Sequence, residues 1–398
     1  MRATDTKLNV LFVDDDPLIL QGLKRMLRPM KNDWSMTFVE SGTKALQSLE
    51  AGLFHVVVSD MRMPGMNGAQ LLAEIQKRHP DTVRLILSGH ADKDLILQCI
   101  GTAHQFLLKP CDPETIRNAI ARASTFDTST KSQQIRKLVS GMSKIPSIPS
   151  VYSEMVEKVG EENASIEEIG SVIAKDPGIS AKLLKLVNSA FFGLCREVSN
   201  PADAAAYLGI ETMKALVLSI HTFESFKAVK CPGFSIEKVW NHSLEVANMA
   251  RKVSEIADLP KSNGDESFIA AILHDVGKLL LADNKPVEYQ EVIVSAAKEN
   301  VPVFIAEDRA FGANHADVAG FILNLWGLPQ RVIDAIALHH TPESSGATTF
   351  NPVISVHIAN ALVHEADDDA SIHGTLNKDF LASIGVKNHL ADWKMLVV

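Results

Sequence analysis

Four short apolar runs, Leu8 to Val13, Val56 to Ser59, Val83 to Ser88 and Phe106 to Leu108, punctuate the first part of the chain, and such runs are nearly absent after Val151. Each is too short to hold as an independent helix. Each is mostly apolar rather than strictly alternating, with Asn9 and Arg84 as the interior exceptions, which is the pattern of a strand covered on both faces. Helix-like stretches open between and after them near Pro17, Thr43, Gly68, Asp92 and Pro113. With one more strand around Met36 to Val39, this alternation predicts a flavodoxin-like α/β domain, a doubly wound five-stranded parallel sheet over residues 1–125. Folds of this class place their ligands beyond the carboxyl ends of the strands.

Chemistry-bearing residues stand at those ends. Asp14 and Asp15 follow the first strand, Asp60 follows the third, Ser88 ends the fourth and Lys109 follows the fifth. Three converging carboxylates repel one another unless a hard cation joins them, and Mg²⁺ suits carboxylate and water oxygens. Asp60 can then attack a phosphoryl donor to give an aspartyl phosphate, the metal and the Lys109 ammonium offsetting the new charge. Ser88 can hydrogen-bond the phosphoryl oxygens, and Pro110 after Lys109 suits a tight cis turn. Any one of these residues alone is an ordinary helix cap, turn residue or surface charge. Their joint order makes them a site.

The stretches Val13-Asp14-Asp15, Asp60-Met61-Arg62-Met63-Pro64-Gly65-Met66-Asn67-Gly68, Ser88-Gly89 and Lys109-Pro110 resemble the receiver domain of two-component response regulators. The resemblance implies that a sensor histidine kinase or phosphotransfer protein phosphorylates Asp60. It implies a Mg²⁺ site of Asp14, Asp15, Asp60 and the backbone carbonyl of Arg62, with Ser88, Phe106 and Lys109 as the switch. Phe106 stands where many receivers carry tyrosine. The face formed by Asp92 to Ile100 and Pro113 to Ala123 is, by the same resemblance, a surface for a homodimer.

A polar stretch, Ser124 to Gln134, marks a boundary. We expect a linker over 126–142, an all-α output domain over 143–345 and a helical extension over 346–398, because apolar spacing turns helical in Ile166 to Ile173, Ala181 to Val187, Ala215 to Ile220 and Val239 to Val253. The chain carries 39 Lys and Arg against 48 Asp and Glu, and the acidic excess lies after residue 125. That balance argues against phosphate-backbone binding, and no helix-turn-helix with a basic recognition face is present, so nucleic acid is not an expected partner. No apolar run nears the roughly 18 residues needed to span a bilayer, and the start lacks a signal-peptide core. The expected place is the cytoplasm, with no membrane partner. Cys99, Cys111, Cys195 and Cys231 have no paired metal or redox spacing.

The stretches Ile145-Pro146-Ser147-Ile148-Pro149, Asp176-Pro177-Gly178, Leu183 to Gly193 and Leu208-Gly209 resemble the HDOD family, the HD-related output domain. His242, His274-Asp275, Lys278, His315 and His339-His340 further recur in the order of HD-type metal phosphohydrolases. Imidazole and carboxylate ligands suit Fe, Mn or Zn, which can present a hydroxide to a phosphodiester. On helical spacing, His274 and Lys278 share a face, so the lysine is placed to neutralise a phosphate. The chain departs from the related HD-GYP phosphodiesterases in two places. Thr341-Pro342-Glu343 follows the paired histidines without the Gly-Tyr-Pro signature, and Asn360 stands where the last aspartate of the metal site would fall.

Two outputs follow. In the first, an inert helical domain binds a protein effector, which the HDOD resemblance links to cyclic di-GMP turnover. In the second, a metal-dependent phosphodiesterase hydrolyses a cyclic dinucleotide, with Lys278 assisting and His242, His274, Asp275, His315, His339, His340 and Asn360 at the metals.

Overall fold

A computed structural model describes residues 7–88, 102–109, 114, 116–117, 119–120, 130–146, 148–160, 165–189, 192, 198–226, 229–366, 376–386, 393 and 395. The chain divides into two compact units, Met1–Ser147 with Phe321–Gly327, and Ile148–Gly320 with Leu328–Val398.

In the first unit the apolar runs become β1 (Leu8–Val13), β2 (Trp34–Val39), β3 (Val56–Asp60), β4 (Val83–Ser88) and β5 (Gln105–Leu108). They pair in parallel in the order β2-β1-β3-β4-β5. Every residue of β3 is buried, as its unbroken Val-Val-Val run requires. The order reverses between β1 and β3, and the register sets Val13 opposite Ser59. Asp14 and Asp60 are therefore level at the carboxyl edge, in the crevice where such sheets bind ligands.

Helices α1 (Pro17–Met26), α2 (Gly42–Ala51) and α3 (Gly68–Arg78) cover the sheet. Asp16 starts α1 by accepting from the Leu18 amide at 2.8 Å, the role of an ordinary helix N-cap. A reciprocal capping box between Asn67 and Gln70 starts α3. Leu11, Val57, Ala45, Leu49, Leu72 and Ile75 interlock between sheet and helices. The valine, leucine and isoleucine side chains among them contribute about 1.5–3 kcal/mol each when fully buried.

The stretch expected as a linker is helical over Thr130–Ser140, here α4. Ile135 and Val139, four residues apart, are buried, and Gln76 of α3 donates to the Met142 carbonyl at 2.9 Å. One apolar stripe is enough to seat a helix whose other faces are polar.

The second unit is helical throughout its described residues. It runs α5 (Ser150–Val159), α6 (Ile166–Ala174), α7 (Pro177–Val187), α8 (Pro201–Leu208), α9 (Ile210–Ser225), α10 (Ile236–Ile256), α11 (Lys261–Leu273) and α12 (Val276–Asn284). It continues with α13 (Pro286–Glu299), α14 (Val303–Phe311), α15 (His315–Leu325, of which the part up to Gly320 falls in this unit), α16 (Gln330–Ala337), α17 (Pro352–Ala366) and α18 (Lys378–Ser383). α10, α11, α16 and α17 form the packed centre. α17 lies inside it, with Ile354, Ile358 and Leu362 packed alongside Val253 and Trp393. No helix among the described residues is long and apolar enough to cross a membrane.

Candidate functional site

At the edge of the sheet, Lys109 donates from Nζ to Asp14 Oδ2 at 3.0 Å and also to Asp60 Oδ1. The remaining oxygens are held by backbone: the Asp16 amide reaches Asp14 Oδ1 at 3.0 Å and the Arg62 amide reaches Asp60 Oδ2 at 2.9 Å. Burial works against the Lys109 ammonium, but the hydrogen bonds to Asp60 and Asp14 outweigh it and hold its pKa above the usual lysine value. Asp15 and Arg62 are exposed beside these groups in the chain. Gly68 permits the arrangement. Its amide donates to the Met61 carbonyl at 2.9 Å, and a Cβ there would lie 2.4 Å from the Asp60 carbonyl. Adjacent carboxylate oxygens with an exposed third acid fit a hard dication such as Mg²⁺. Ser88 ends β4 and Phe106 lies in β5, but their side chains, with Pro110 and the face from Asp92 to Ile100, lie outside the described residues.

In the helical unit, six helix ends or faces meet at one buried point. α10 supplies His242, the end of α11 His274, the start of α12 Asp275 and Lys278, the start of α15 His315, the end of α16 His339 and His340, and α17 Asn360. Two groups have ligand atoms within 4.8 Å of one another, His242 with His274 and Asp275, and His315 with His339 and His340. His274 Nδ1 lies 2.6 Å from the Ala271 carbonyl and His339 Nδ1 lies 2.7 Å from the Ile336 carbonyl. A carbonyl only accepts, so both rings carry hydrogen on Nδ1 and present an Nε2 lone pair inward. Those two Nε2 atoms and Asp275 Oδ1 are buried without a well-directed hydrogen bond, Asp275 Oδ1 having only His315 Nε2 at 3.2 Å and His274 Nε2 at 3.4 Å beside it. Such orphans cost roughly 1–3 kcal/mol each unless something binds them. The donor set of imidazole nitrogens and one carboxylate oxygen fits Fe, Mn or Zn.

Electrostatics prepare the same site. Burial pushes His274, His339 and His340 below the usual imidazole range and takes His242 to about 3. Neutral rings are the ligating form. Burial opposes the charge on Asp275, but His274 and Lys278 outweigh it and hold the carboxyl well below its usual range. Lys278 reaches Asp275 Oδ2 at 2.7 Å. This corrects the expectation that Lys278 shares a helix face with His274: the chain breaks between α11 and α12, and the lysine turns to Asp275. Asn360 Oδ1 lies 2.9 Å from His242 Nε2, and His364, four residues further along α17, stacks on His242 at 4.2 Å. A cavity of about 570 Å³ opens onto His339, His340 and Asn360, with Phe304, Asn377 and Lys378 also in its wall. Phe304 stacks on His340 at 4.1 Å.

Residues 10–121 match the response regulator receiver domain and residues 145–342 match the HDOD domain. The chain joins a receiver domain to an HDOD domain. An uncharacterized protein of Treponema pallidum is 24% identical over 235 residues, 56% of this chain and 43% of that protein. The transcriptional regulatory protein GlrR of Escherichia coli K12 is 37% identical over 113 residues, 28% of this chain and 25% of that protein. The chain thus spans less than half the length of these curated relatives. A crystal structure of an HDOD domain protein with unknown function from Geobacter sulfurreducens is similar with a TM-score of 0.58 and 24% identity, over 68% of this chain and 93% of that one. At that identity the likeness speaks for the fold.

The ordered histidines foreseen from the sequence come together, and Asn360, which lies beyond the range matched as HDOD, joins them beside His242. Glu307 and Gly277 were not foreseen. Glu307 is fully buried on α14, and its Oε2 accepts from the His315 amide at 2.8 Å and from His315 Nδ1 at 2.6 Å. Its Oε1 accepts from the Tyr289 hydroxyl at 2.8 Å. Burial opposes a charge on His315, but Glu307 outweighs it and raises the imidazole above its usual value. Gly277 lets α12 close on His315, whose carbonyl would lie 1.9 Å from a Cβ at that position. Glu307 stands eight residues before His315 in no recognisable motif. The one signal was an acid following the apolar run Val303-Phe304-Ile305-Ala306.

Proposed function

We propose that this protein is a phosphorylation-switched response regulator. A sensor histidine kinase or phosphotransfer protein charges Asp60, and the HDOD domain responds by binding or releasing a protein effector. The observation that carries the reading is the Lys109 ammonium held between Asp14 and Asp60 at the carboxyl edge of the sheet. An Asp60 oxygen forms the new P–O bond while the P–N bond to the donor histidine breaks, the ring nitrogen keeping the electron pair. Lys109 then offsets charge on the phosphoryl group, and the Arg62 amide keeps the carboxylate turned toward it. Asp14, Asp15, Asp60 and the Arg62 carbonyl would hold Mg²⁺, which supplies charge neutralisation when bound. The HDOD relation to HD-GYP domains points to an effector of cyclic di-GMP turnover.

The test compares effector capture by wild type and Asp60→Asn after treatment with acetyl phosphate and Mg²⁺. Capture that changes in wild type alone supports the switch. Identical capture in both removes it.

The orphaned Nε2 atoms and Asp275 Oδ1 favour a second reading of the HDOD domain, a metal-dependent phosphodiesterase on a cyclic dinucleotide. His242, His274, Asp275, His315, His339, His340 and Asn360 would surround a metal that activates water. Lys278 would meet the phosphate. Elemental analysis joined to hydrolysis assays on wild type and His274→Ala/Asp275→Ala decides it: metal-free, inactive wild type ends the enzyme reading, and metal without hydrolysis leaves a structural or sensory centre.

A further inference from the structure

We propose that Glu307 is the positioning residue of the HDOD cluster, orienting His315 toward a bound transition metal and supplying the negative charge that Asn360 does not. The inference rests on the metal reading of this site.

Glu307 Oε2 accepts from both the amide and Nδ1 of His315, so one oxygen fixes the backbone and the ring of the same residue. With Nδ1 occupied, Nε2 is the atom that faces the cluster. It lies 3.2 Å from Asp275 Oδ1 and 3.0 Å from His340 Nε2. Tyr289 occupies the other Glu307 oxygen, so the carboxylate cannot rotate away without stranding a buried hydroxyl. Carboxylates that hold a ligating histidine in this way set its ring orientation and basicity.

Charge favours the same role. Among the foreseen ligands Asp275 is the sole carboxylate, and its Oδ2 is bonded to the Lys278 ammonium. That pair sums to zero. A dication in a water-poor site with no net ligand charge is poorly compensated. Asn360, opposite His242, contributes a dipole and no charge. Glu307 is fully buried and one hydrogen bond behind His315, so it adds a carboxylate where the cluster otherwise has only Asp275, already paired with Lys278. Neither its burial nor its three hydrogen bonds is required by α14 itself, since the helix closes at a left-handed Gly312 without it.

The probe is Co²⁺ added to metal-stripped full-length protein, read by its visible d–d absorption and by chelator competition. Wild type should bind with a protein-specific spectrum. Glu307→Gln, which keeps the shape and removes the charge, should bind roughly 10–100-fold more weakly with an altered band pattern. Tyr289→Phe should weaken binding less, by about the factor of ten at the lower end of that range or below. Adding Asn360→Asp to Glu307→Gln should restore part of the affinity, because a charge returns, but not the wild-type spectrum, because His315 stays unheld. Equal affinity and equal spectra for wild type and Glu307→Gln would overturn the proposal while leaving the metal site standing. No Co²⁺ binding by wild type would overturn the metal reading and the proposal with it. Should Glu307→Gln fail to fold by circular dichroism, Tyr289→Phe decides: unchanged affinity and spectrum count against the role of Glu307.

Discussion

The two candidate sites of this chain solve opposite electrostatic problems. The receiver gathers carboxylates at a sheet edge and holds them with one lysine and two backbone amides, leaving exposed groups alongside. The HDOD cluster gathers imidazoles in the packed centre of a helical unit, where burial keeps most of them neutral. An edge site is assembled by strand register and can accept a large, charged modification. A centre site is assembled by the meeting of helix ends, and its polar atoms need a partner from within or a bound ion. Chemistry at the first depends on few residues, whereas the second depends on a whole set being in place.

The largest effect is expected at Asp60. Asp60→Asn should abolish acetyl-phosphate labelling on a phosphate-affinity gel while leaving the metal content of the HDOD domain unchanged. Residual labelling would move the phosphoacceptor elsewhere.

The next largest effect is on metal retention. His274→Ala/Asp275→Ala removes two of the three orphaned atoms, so transition-metal content by elemental analysis should fall by more than about 100-fold, beyond the loss expected for an outer partner. Labelling of Asp60 should persist. Equal metal content in variant and wild type would separate the cluster from metal binding.

Acidification should distinguish the two regions more gently. His242, His274, His339, His340 and His357 are all held below their usual value by burial. As pH falls below about 6.5 the unfolded chain takes up protons that these folded rings refuse, so stability present above that value is lost by up to about 1.4 kcal/mol per pH unit for each ring. His315, raised beside Glu307, works in the opposite sense and adds stability at low pH. In the receiver, among the described residues, His104 is the buried ring held well below its usual value, accepting at Nδ1 from the Arg84 amide at 2.9 Å. Hydrogen exchange of metal-free protein at about pH 7.5 and about pH 5.5 should therefore show the helical unit opening more than the sheet unit. Equal loss of protection would mean that the buried rings find protons or partners in the fold.

The smallest expected effects come from the two close-approach glycines. Gly277→Ala drives a methyl into the His315 carbonyl and Gly68→Ala drives one toward the Asp60 carbonyl. Each should cost about 1–3 kcal/mol in chemical denaturation, with Gly277→Ala also lowering metal affinity and Gly68→Ala slowing phosphorylation. Lower stability with both functions intact would make these glycines packing residues alone.

Much of the receiver site was legible because its parts sit at predictable places. A strand of known length ends where its apolar run ends, so Asp14, Asp60 and Lys109 could be set at one edge from sequence spacing. The HDOD cluster was legible only as an ordered set of residues. Nothing in the spacing from His315 to His339 says that one meets the other, and the helical phase of Lys278 misled because the break after His274 is a tertiary turn. α4 was hidden by its polar composition, since one buried stripe of Ile135 and Val139 is a weak signal until there is a surface to receive it.

By itself the sequence determined the two fold classes, their order and the type of donor each site offers, because periodicity and residue chemistry are local properties. The tertiary structure decided which donors touch. Register made Asp14 level with Asp60. Helix packing aimed two bare Nε2 atoms at the same buried point as Asp275, and α14 delivered Glu307 to His315. Those outcomes depend on distances between segments far apart in the chain, which folding sets and no local pattern records.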